Sequence, residues 1–178
     1  PFDIRMEGLQ GGQQKMMTLY ASSETHSSVH KGVEVLGLGR NALRLLPVNE
    51  SFELDVDALE AAIERDKAAG HQPFCIVGNA GTVNTGAFDD LKRLADIAAR
   101  EQLWFHVDGA FGVIAAISPN LKHLTAGMER ADSIAFDLHK WMYVPYEAGC
   151  ALVRDPEAHY NAFTYTPDYL SHSTRGVH

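Results

Sequence analysis

The sequence predicts an α/β fold built on a mainly parallel sheet that is flanked by helices. Short apolar segments alternate with amphipathic segments of about 10–15 residues along most of the chain, a pattern typical of parallel strands joined by helices. Some of the short segments, such as 73–80 (PFCIVGNA), are apolar almost without interruption, as expected for strands buried on both faces.

The first part of the chain contains two predicted strands and two predicted helices. Segment 16–21 (MMTLYA) is a short apolar strand, and a helix at about 29–38 follows it and stops at glycines. The next strand is 42–48 (ALRLLPV). Segment 55–69 is the clearest helix, because its apolar residues recur on one face and Gly70 ends it.

The second part continues the alternation after strand 73–80. The turn GTVNTGAF leads into an amphipathic helix at 89–101, and LWFHVD at 103–108 is another buried strand. Segments 132–137 (DSIAFD) and 149–155 (GCALVRD) complete the set of strands.

Composition limits the partners that the chain can have. Its 178 residues suffice for one domain, 46% are hydrophobic, and the net charge is −8 with scattered basic residues. This balance disfavours nucleic acid or an anionic membrane as the main partner, and no apolar segment approaches the roughly 20 residues that span a bilayer. Cys75 and Cys150 lie in apolar segments, so we expect free buried thiols in a cytoplasmic protein without a signal peptide.

Polar residues collect where the predicted strands end. Asp108 ends one strand, His139 and Lys140 follow another, and His26 and Thr82 come shortly after two more. Ligands of such sheets bind at the carboxyl ends of the strands, so we expect these side chains to meet. Asp108 could also serve only as a capping residue after its strand.

Lysine is rarely placed at the end of an apolar strand without a partner or a task. Its amine forms Schiff bases with aldehydes such as pyridoxal 5′-phosphate (PLP). A PLP site also needs a carboxylate facing the pyridine nitrogen, for which Asp108 is suited, and a flat partner for the ring, which His26 could supply. The small residues Gly109 and Ala110 would leave room for the other face of the ring.

Four motifs carry a family resemblance: ETHSSVHKG, GTVNTGAFDD, HVDGAFG and DSIAFDLHKW. In this order and spacing, over nearly the whole chain, they resemble the group II PLP-dependent decarboxylases, which include the aromatic L-amino acid and glutamate decarboxylases. The resemblance implies the type I PLP-dependent transferase fold, like the large domain of aspartate aminotransferase. It also implies a homodimer. Because Pro1 is not an initiator methionine and the last segment is polar, we expect a fragment of a longer protein.

The resemblance implies a domain division and a role for each matching residue. Residues 1–155 would form the central part of the PLP-binding large domain, and 156–178 a mobile catalytic-loop segment. Lys140 would form the internal aldimine with PLP, Asp108 would pair with the pyridine nitrogen, and His26 would stack on the ring.

Further residues would complete the site. His139 would lie near the cofactor phosphate or the substrate, Ala110 would pack under the ring, and Thr82 would line the cofactor. Tyr169 falls where the family has a loop tyrosine that protonates the substrate carbon after carbon dioxide leaves. A phenylalanine at that place is associated with aldehyde formation, so Tyr169 favours simple decarboxylation.

Several residues depart from the family pattern, which usually reads NPHKW and HVDAAYG where this chain has DLHKW and HVDGAFG. Asp137 stands where an asparagine near the phosphate is usual, so its carboxylate either points away or that contact is lost. Val83 stands where many members have a second threonine.

Simpler interpretations remain open for several side chains. Lys140 could extend to water, His26 could cap a helix, and His139 could pack against Trp141. Thr82 could only close its turn. Tyr169 could be a surface aromatic residue.

The resemblance implies PLP-dependent decarboxylation of an L-amino acid, with an aromatic one favoured, to the amine and carbon dioxide. PLP-dependent aldehyde synthesis, carbon–carbon cleavage, and a non-catalytic scaffold domain of the same fold are the alternatives. A metal-binding protein is a further one, since His26 and His30 are four positions apart, but no HExxH motif accompanies them and we expect no metal.

Overall fold

A computed structural model describes residues 15–165. Six strands form one sheet: β1 (Met17–Ser22), β2 (Leu43–Leu46), β3 (Gln72–Asn79), β4 (Trp104–Asp108), β5 (Ser133–Asp137) and β6 (Gly149–Val153). Four α-helices accompany them: α1 (Ser27–Val35), α2 (Val56–Ala68), α3 (Leu91–Glu101) and α4 (Pro156–Phe163).

The sheet has the strand order β2-β1-β3-β4-β5-β6, and every neighbouring pair is parallel except β5 and β6. The prediction of a mainly parallel sheet flanked by helices is therefore confirmed. The register pairs Asn79 with Asp108 and Asp108 with Ala135. The carboxyl ends of β3, β4 and β5 consequently meet at one edge of the sheet.

Helices α2 and α3 cover one face of the sheet. Their apolar side chains form one continuous cluster with strand residues that include Tyr20, Ile76, Phe105 and Val107. The opposite face carries α1, where Val33 packs with residues of β1, β2 and β3. Beyond β3 this second face opens onto a cavity, and Trp104 of β4 remains 40% exposed there.

Aspartate caps set the start of the helices that follow the strands. Asp55 accepts a hydrogen bond from the Ala58 amide at 3.0 Å, and Asp90 accepts one from the Arg93 amide at 3.0 Å. An N-cap residue lies outside the helical backbone, so α2 and α3 begin one or two residues later than the predicted 55 and 89.

Two strands are shorter than predicted. β2 loses both ends of 42–48, because Ala42 belongs to a 3₁₀ turn and Pro47 has no amide hydrogen for the ladder. β6 stops at Val153 because Asp155 caps α4, with Pro156 in the first turn of that helix. The sequence had not predicted α4, nor the three short 3₁₀ helices that connect β4 to β5 (Gly112–Ile117, Lys122–Thr125 and Met128–Arg130).

Candidate active site

A cavity of about 570 Å³ opens on the α1 side of the sheet and reaches its carboxyl edge. Four predicted site residues line it: His26, Asp108, Ala110 and Lys140. A smaller adjoining cavity is lined by the same four residues and by Thr82. The sheet therefore brings together five of the seven side chains selected from the sequence.

Asp108 ends β4 and is half-buried. Its Oδ1 accepts a hydrogen bond from the Ala110 amide at 3.1 Å, which fixes the carboxylate over the turn that follows. Within residues 15–165, its Oδ2 accepts no hydrogen bond, so this oxygen is available to a donor in the cavity.

His106 lies two residues earlier on the same face of β4. Its Nδ1 is 2.7 Å from the Ser133 hydroxyl. Burial lowers the pKa of the His106 imidazole, although the nearby negative charge of Asp108 opposes this effect. A neutral imidazole therefore lies next to Asp108 at neutral pH.

Lys140 lies in the turn that follows β5. Its Nζ is 2.7 Å from Oδ2 of Asp137 and 4.5 Å from the centre of the Phe111 ring. The ammonium group is therefore held by a carboxylate and an aromatic face rather than extended freely into water. The Asp137 carboxylate points toward Lys140, and the loss of a phosphate contact at this position stays a prediction.

His26 is the N-cap of α1. Its Nδ1 accepts a hydrogen bond from the Ser28 amide at 3.2 Å and lies 2.9 Å from the Ser28 hydroxyl. The capping interpretation is thus confirmed. It does not exclude a second use, because the exposed ring also borders both cavities.

His139 is positioned by β6 and the loop before it. The Ala148 amide donates to its Nδ1 at 2.9 Å, and the ring packs against Tyr146 with the centroids 4.4 Å apart. The suggested packing against Trp141 is wrong, since that indole contacts Phe111 instead. His139 does not line either of the two cavities at the sheet edge.

Thr82 closes the turn after β3. Its hydroxyl is 2.6 Å from that of Thr85 and accepts a hydrogen bond from the Ala87 amide at 3.2 Å. The turn-closing interpretation is confirmed, while the side chain also borders the smaller cavity. Val83, next to it, is half-exposed.

A buried network beneath the site was missed in the sequence. Asp89 accepts hydrogen bonds from the Asn79 amide at 2.7 Å and from the Leu54 amide at 2.7 Å. The Asn79 side chain donates to Asp89 at 3.0 Å and to the Ser22 hydroxyl at 3.2 Å, and it accepts from Thr25 at 3.5 Å. One amide side chain therefore ties the end of β1 to the end of β3, next to His26.

Burial raises the pKa of the Asp89 carboxyl, against the opposing effect of the hydrogen bonds from Asn79 and Leu54. A polar residue near the end of the apolar run PFCIVGNA was the signal that could have identified Asn79. Phe111 was also missed, although it lies within the quoted motif HVDGAFG.

Tyr169 lies outside the described residues, so its predicted role stays a prediction. Cys75 is buried and free, and burial raises the pKa of its thiol to about 12, whereas Cys150 is only half-buried. Within 15–165, no group of histidine, cysteine and acidic side chains could hold a metal ion, and no helix is long and apolar enough to cross a membrane.

Known proteins are similar to this chain in sequence and in fold. The aromatic-L-amino-acid decarboxylase of Bacillus atrophaeus is 37% identical over 159 residues, which are 89% of this chain and 33% of that protein. The phenylacetaldehyde synthase of Petunia hybrida is 35% identical over 156 residues, 86% of this chain and 31% of that protein. The chain thus spans about a third of the length of these relatives.

A solved structure described as Oryza sativa TDC with PLP and tryptamine superimposes with a TM-score of 0.86. It is 31% identical to this chain, and the match covers 96% of this chain and 35% of that structure. The predicted type I fold is thereby confirmed. The model of the pyridoxal-dependent decarboxylase conserved domain matches residues 7–178, and the chain therefore belongs to this family of pyridoxal-dependent decarboxylases.

Proposed function

We propose that the full-length protein decarboxylates an L-amino acid to the amine and carbon dioxide, with PLP as its cofactor and an aromatic amino acid as the favoured substrate. The observation that carries the proposal is the meeting of Lys140, Asp108 and His26 around one cavity at the carboxyl edge of the sheet. The likeness to the Bacillus decarboxylase supports both the reaction and the aromatic preference.

The residues at this edge fit PLP chemically. An amine, a carboxylate with one free oxygen and an exposed imidazole border the same space, and the small side chain of Ala110 borders it as well. When bound, PLP supplies an electron sink that accepts the electron pair released when a bond to the substrate α-carbon breaks.

Lys140 would bind the cofactor covalently through its Nζ. Asp108 would hold a proton on the pyridine nitrogen through Oδ2, because Oδ1 is already engaged by the Ala110 amide. This carboxylate keeps the ring in the form that withdraws electrons most strongly.

His26 would stack on the cofactor ring. Its Nδ1 bonds to Ser28 fix the imidazole at the start of α1, so little side-chain freedom remains to be lost when a flat group binds. Ala110 would leave space under the ring, and Thr82 would contact the cofactor from its closed turn.

His139 would act from beside the lysine. A backbone amide can only donate, so the bond from Ala148 leaves the hydrogen of the neutral imidazole on Nε2. Because His139 lines neither cavity and its Nε2 lies 4.0 Å from Oδ2 of Asp137, its contact with the cofactor phosphate or the substrate stays a prediction.

Tyr169 would deliver the proton to the substrate α-carbon from the catalytic segment 156–178, whose first residues form helix α4 and not the loop expected from the sequence, and residues 1–155 would form the central part of the cofactor-binding domain. We further propose that the full-length protein is a cytoplasmic homodimer. The half-exposed Trp141 and the exposed Tyr143 beside Lys140 support a subunit contact near the site.

Reductive trapping tests the proposal. The full-length protein is incubated with PLP, reduced with borohydride and digested, and the labelled peptide is identified by mass spectrometry. We expect label on Lys140 and loss of both label and amine formation in Lys140→Ala. Lys92→Ala, which removes an exposed lysine of α3, should change neither. Amine formation at a near-normal rate by Lys140→Ala would refute the proposal.

A second candidate, aldehyde synthesis, is favoured by the likeness to the Petunia phenylacetaldehyde synthase. The product separates the two candidates, because an aldehyde synthase would consume dioxygen and water and form the aldehyde, ammonia, carbon dioxide and hydrogen peroxide, whereas a decarboxylase forms the amine and carbon dioxide without an oxidant. Chromatography of the products of L-tyrosine, L-tryptophan and L-phenylalanine measures this directly.

A further inference from the structure

Asp137, the last residue of β5, lies between two nitrogen atoms of the turn that follows it. Its Oδ2 is 2.7 Å from Nζ of Lys140 and 4.0 Å from Nε2 of His139. The proposed roles of Lys140 and His139 do not explain why a carboxylate should be placed there.

The backbone holds this carboxylate in position. Asp137 pairs with Gly149 across the antiparallel strands, and a Cβ at Gly149 would come within 3.4 Å of Oδ1. The Lys140 amide also donates to the Asp137 carbonyl at 3.2 Å, which turns the chain back so that the lysine lies over the carboxylate. The ion pair is therefore part of the local fold.

Solvent reaches this pair only in part. The side chains of Asp137 and Lys140 are each 28% exposed, so water screens their attraction less than it screens a surface ion pair. Nε2 of His139 lies 4.0 Å from the same oxygen, beyond hydrogen-bond distance, so Lys140 is the close partner of this carboxylate.

We propose that Asp137 is a positioning residue that acts through Lys140: its carboxylate holds the lysine nitrogen in an ion pair at 2.7 Å and restrains its reaction with carbonyl compounds. This inference rests on the proposed function, in which Lys140 is the reacting amine. To react, Lys140 releases one proton to solvent, its nitrogen bonds to the carbonyl carbon, and the carbonyl oxygen leaves as water with the two remaining amine hydrogens. The ion pair with Asp137 must open before the first of these changes.

Reductive methylation measures this restraint without the cofactor. The full-length protein, free of PLP, is treated with formaldehyde and cyanoborohydride, and the methylation rate of each lysine is followed by mass spectrometry. In Asp137→Asn, Lys140 should react roughly fivefold faster than in the wild type, as expected when an attraction of about 1 kcal/mol is lost. The exposed Lys31 and Lys92 should keep their rates.

Two variants serve as controls. Asp137→Glu retains the carboxylate and should keep the Lys140 rate within about twofold of the wild type, on the same scale of ion-pair strength. Asp96→Asn removes an equal charge and the ion pair with Arg130 on the outer side of α3, and it should leave Lys140 unchanged. Damage to the fold would not accelerate Lys140 alone, so a selective gain supports the positioning role.

The possible outcomes separate this inference from the proposed function. An unchanged or slower Lys140 in Asp137→Asn overturns the role of Asp137 even if PLP labels Lys140. A rise at all lysines alike, including Lys67 in its own ion pairs, also overturns it, because the fold has then loosened. A selective rise together with no PLP label on Lys140 supports the restraint and refutes the PLP-dependent function.

Discussion

Gly112 offers the sharpest test of how the two turns beside the site are packed. Its amide donates to the Ala80 carbonyl at 2.9 Å, which joins the turn after β4 to the turn after β3. A Cβ at this position would lie 2.7 Å from the Ala80 carbonyl carbon and 2.5 Å from Cζ of Phe88, and it would also clash with the Ala80 carbonyl oxygen. We therefore predict that Gly112→Ala is strongly destabilising.

The size of the effect follows from these distances. Carbon atoms pack at about 3.5–4.0 Å, so the two turns must separate by about 1 Å, and the opposing Ala80 atoms belong to the backbone and cannot rotate away. Overpacking of this kind costs about 3 kcal/mol, the upper end of the usual range. The urea midpoint of the full-length protein should fall by on the order of 1 M.

Gly32 provides the matched control for this substitution. It lies within α1, and among residues 15–165 no atom apart from its chain neighbours and the backbone of that helix lies within 4 Å of the position that an added methyl group would occupy. Gly32→Ala should therefore stabilise the protein by about 0.5–1 kcal/mol. Urea unfolding of both variants is followed by circular dichroism. If Gly112→Ala unfolds at the wild-type midpoint, the close approach of the two turns is not a property of the protein.

Two predictions concern the pH dependence of stability. Burial alone would raise the pKa of the Asp66 carboxyl, but hydrogen bonds from Arg44, His71 and Tyr20 lower this pKa far below its usual range. The ionised carboxylate therefore stabilises the fold fully above pH about 4, and this stabilisation is lost as the pH falls further. Asp66→Asn should cost about 2 kcal/mol at pH 7, and urea titrations should show this difference shrinking in acid; a constant difference would contradict the ion-pair assignment. Burial lowers the pKa of the His106 imidazole, so below pH about 6.5 the unfolded chain binds more protons than the folded one. The free energy of unfolding should therefore decrease from pH 7 to pH 5, and the decrease should be smaller in His106→Gln. An equal decrease in both proteins would contradict the burial of this imidazole.

The fold could be predicted from the sequence to the extent that it depends on periodicity. Every predicted strand and helix is present, because uninterrupted apolar segments and one-sided apolar faces determine which residues can be buried. The helix starts were predicted one or two residues too early, because Asp55 and Asp90 act as N-caps and lie outside the helical backbone. The antiparallel direction of β6 depends on pairing across the sheet, which no local pattern records.

The site could be predicted only as a set of residues. Strand ends indicated that Asp108, Lys140 and His26 would meet, and they do line one cavity. The partners of these residues could not be found in this way. The bond between Lys140 and Asp137 depends on rotamers, and the bonds of Asn79 join residues that are up to 57 positions apart in the chain.

The incomplete cover of the α1 face has a practical consequence. Strands of a parallel sheet are normally shielded on both sides, yet here Leu36 is 64% exposed and Trp104 40% exposed beside an open cavity. Apolar surface of this kind drives self-association when it meets water. The 178-residue chain purified by itself should therefore aggregate. Detergent, or co-expression with the parts of the full-length protein that cover this face, should restore a monodisperse sample.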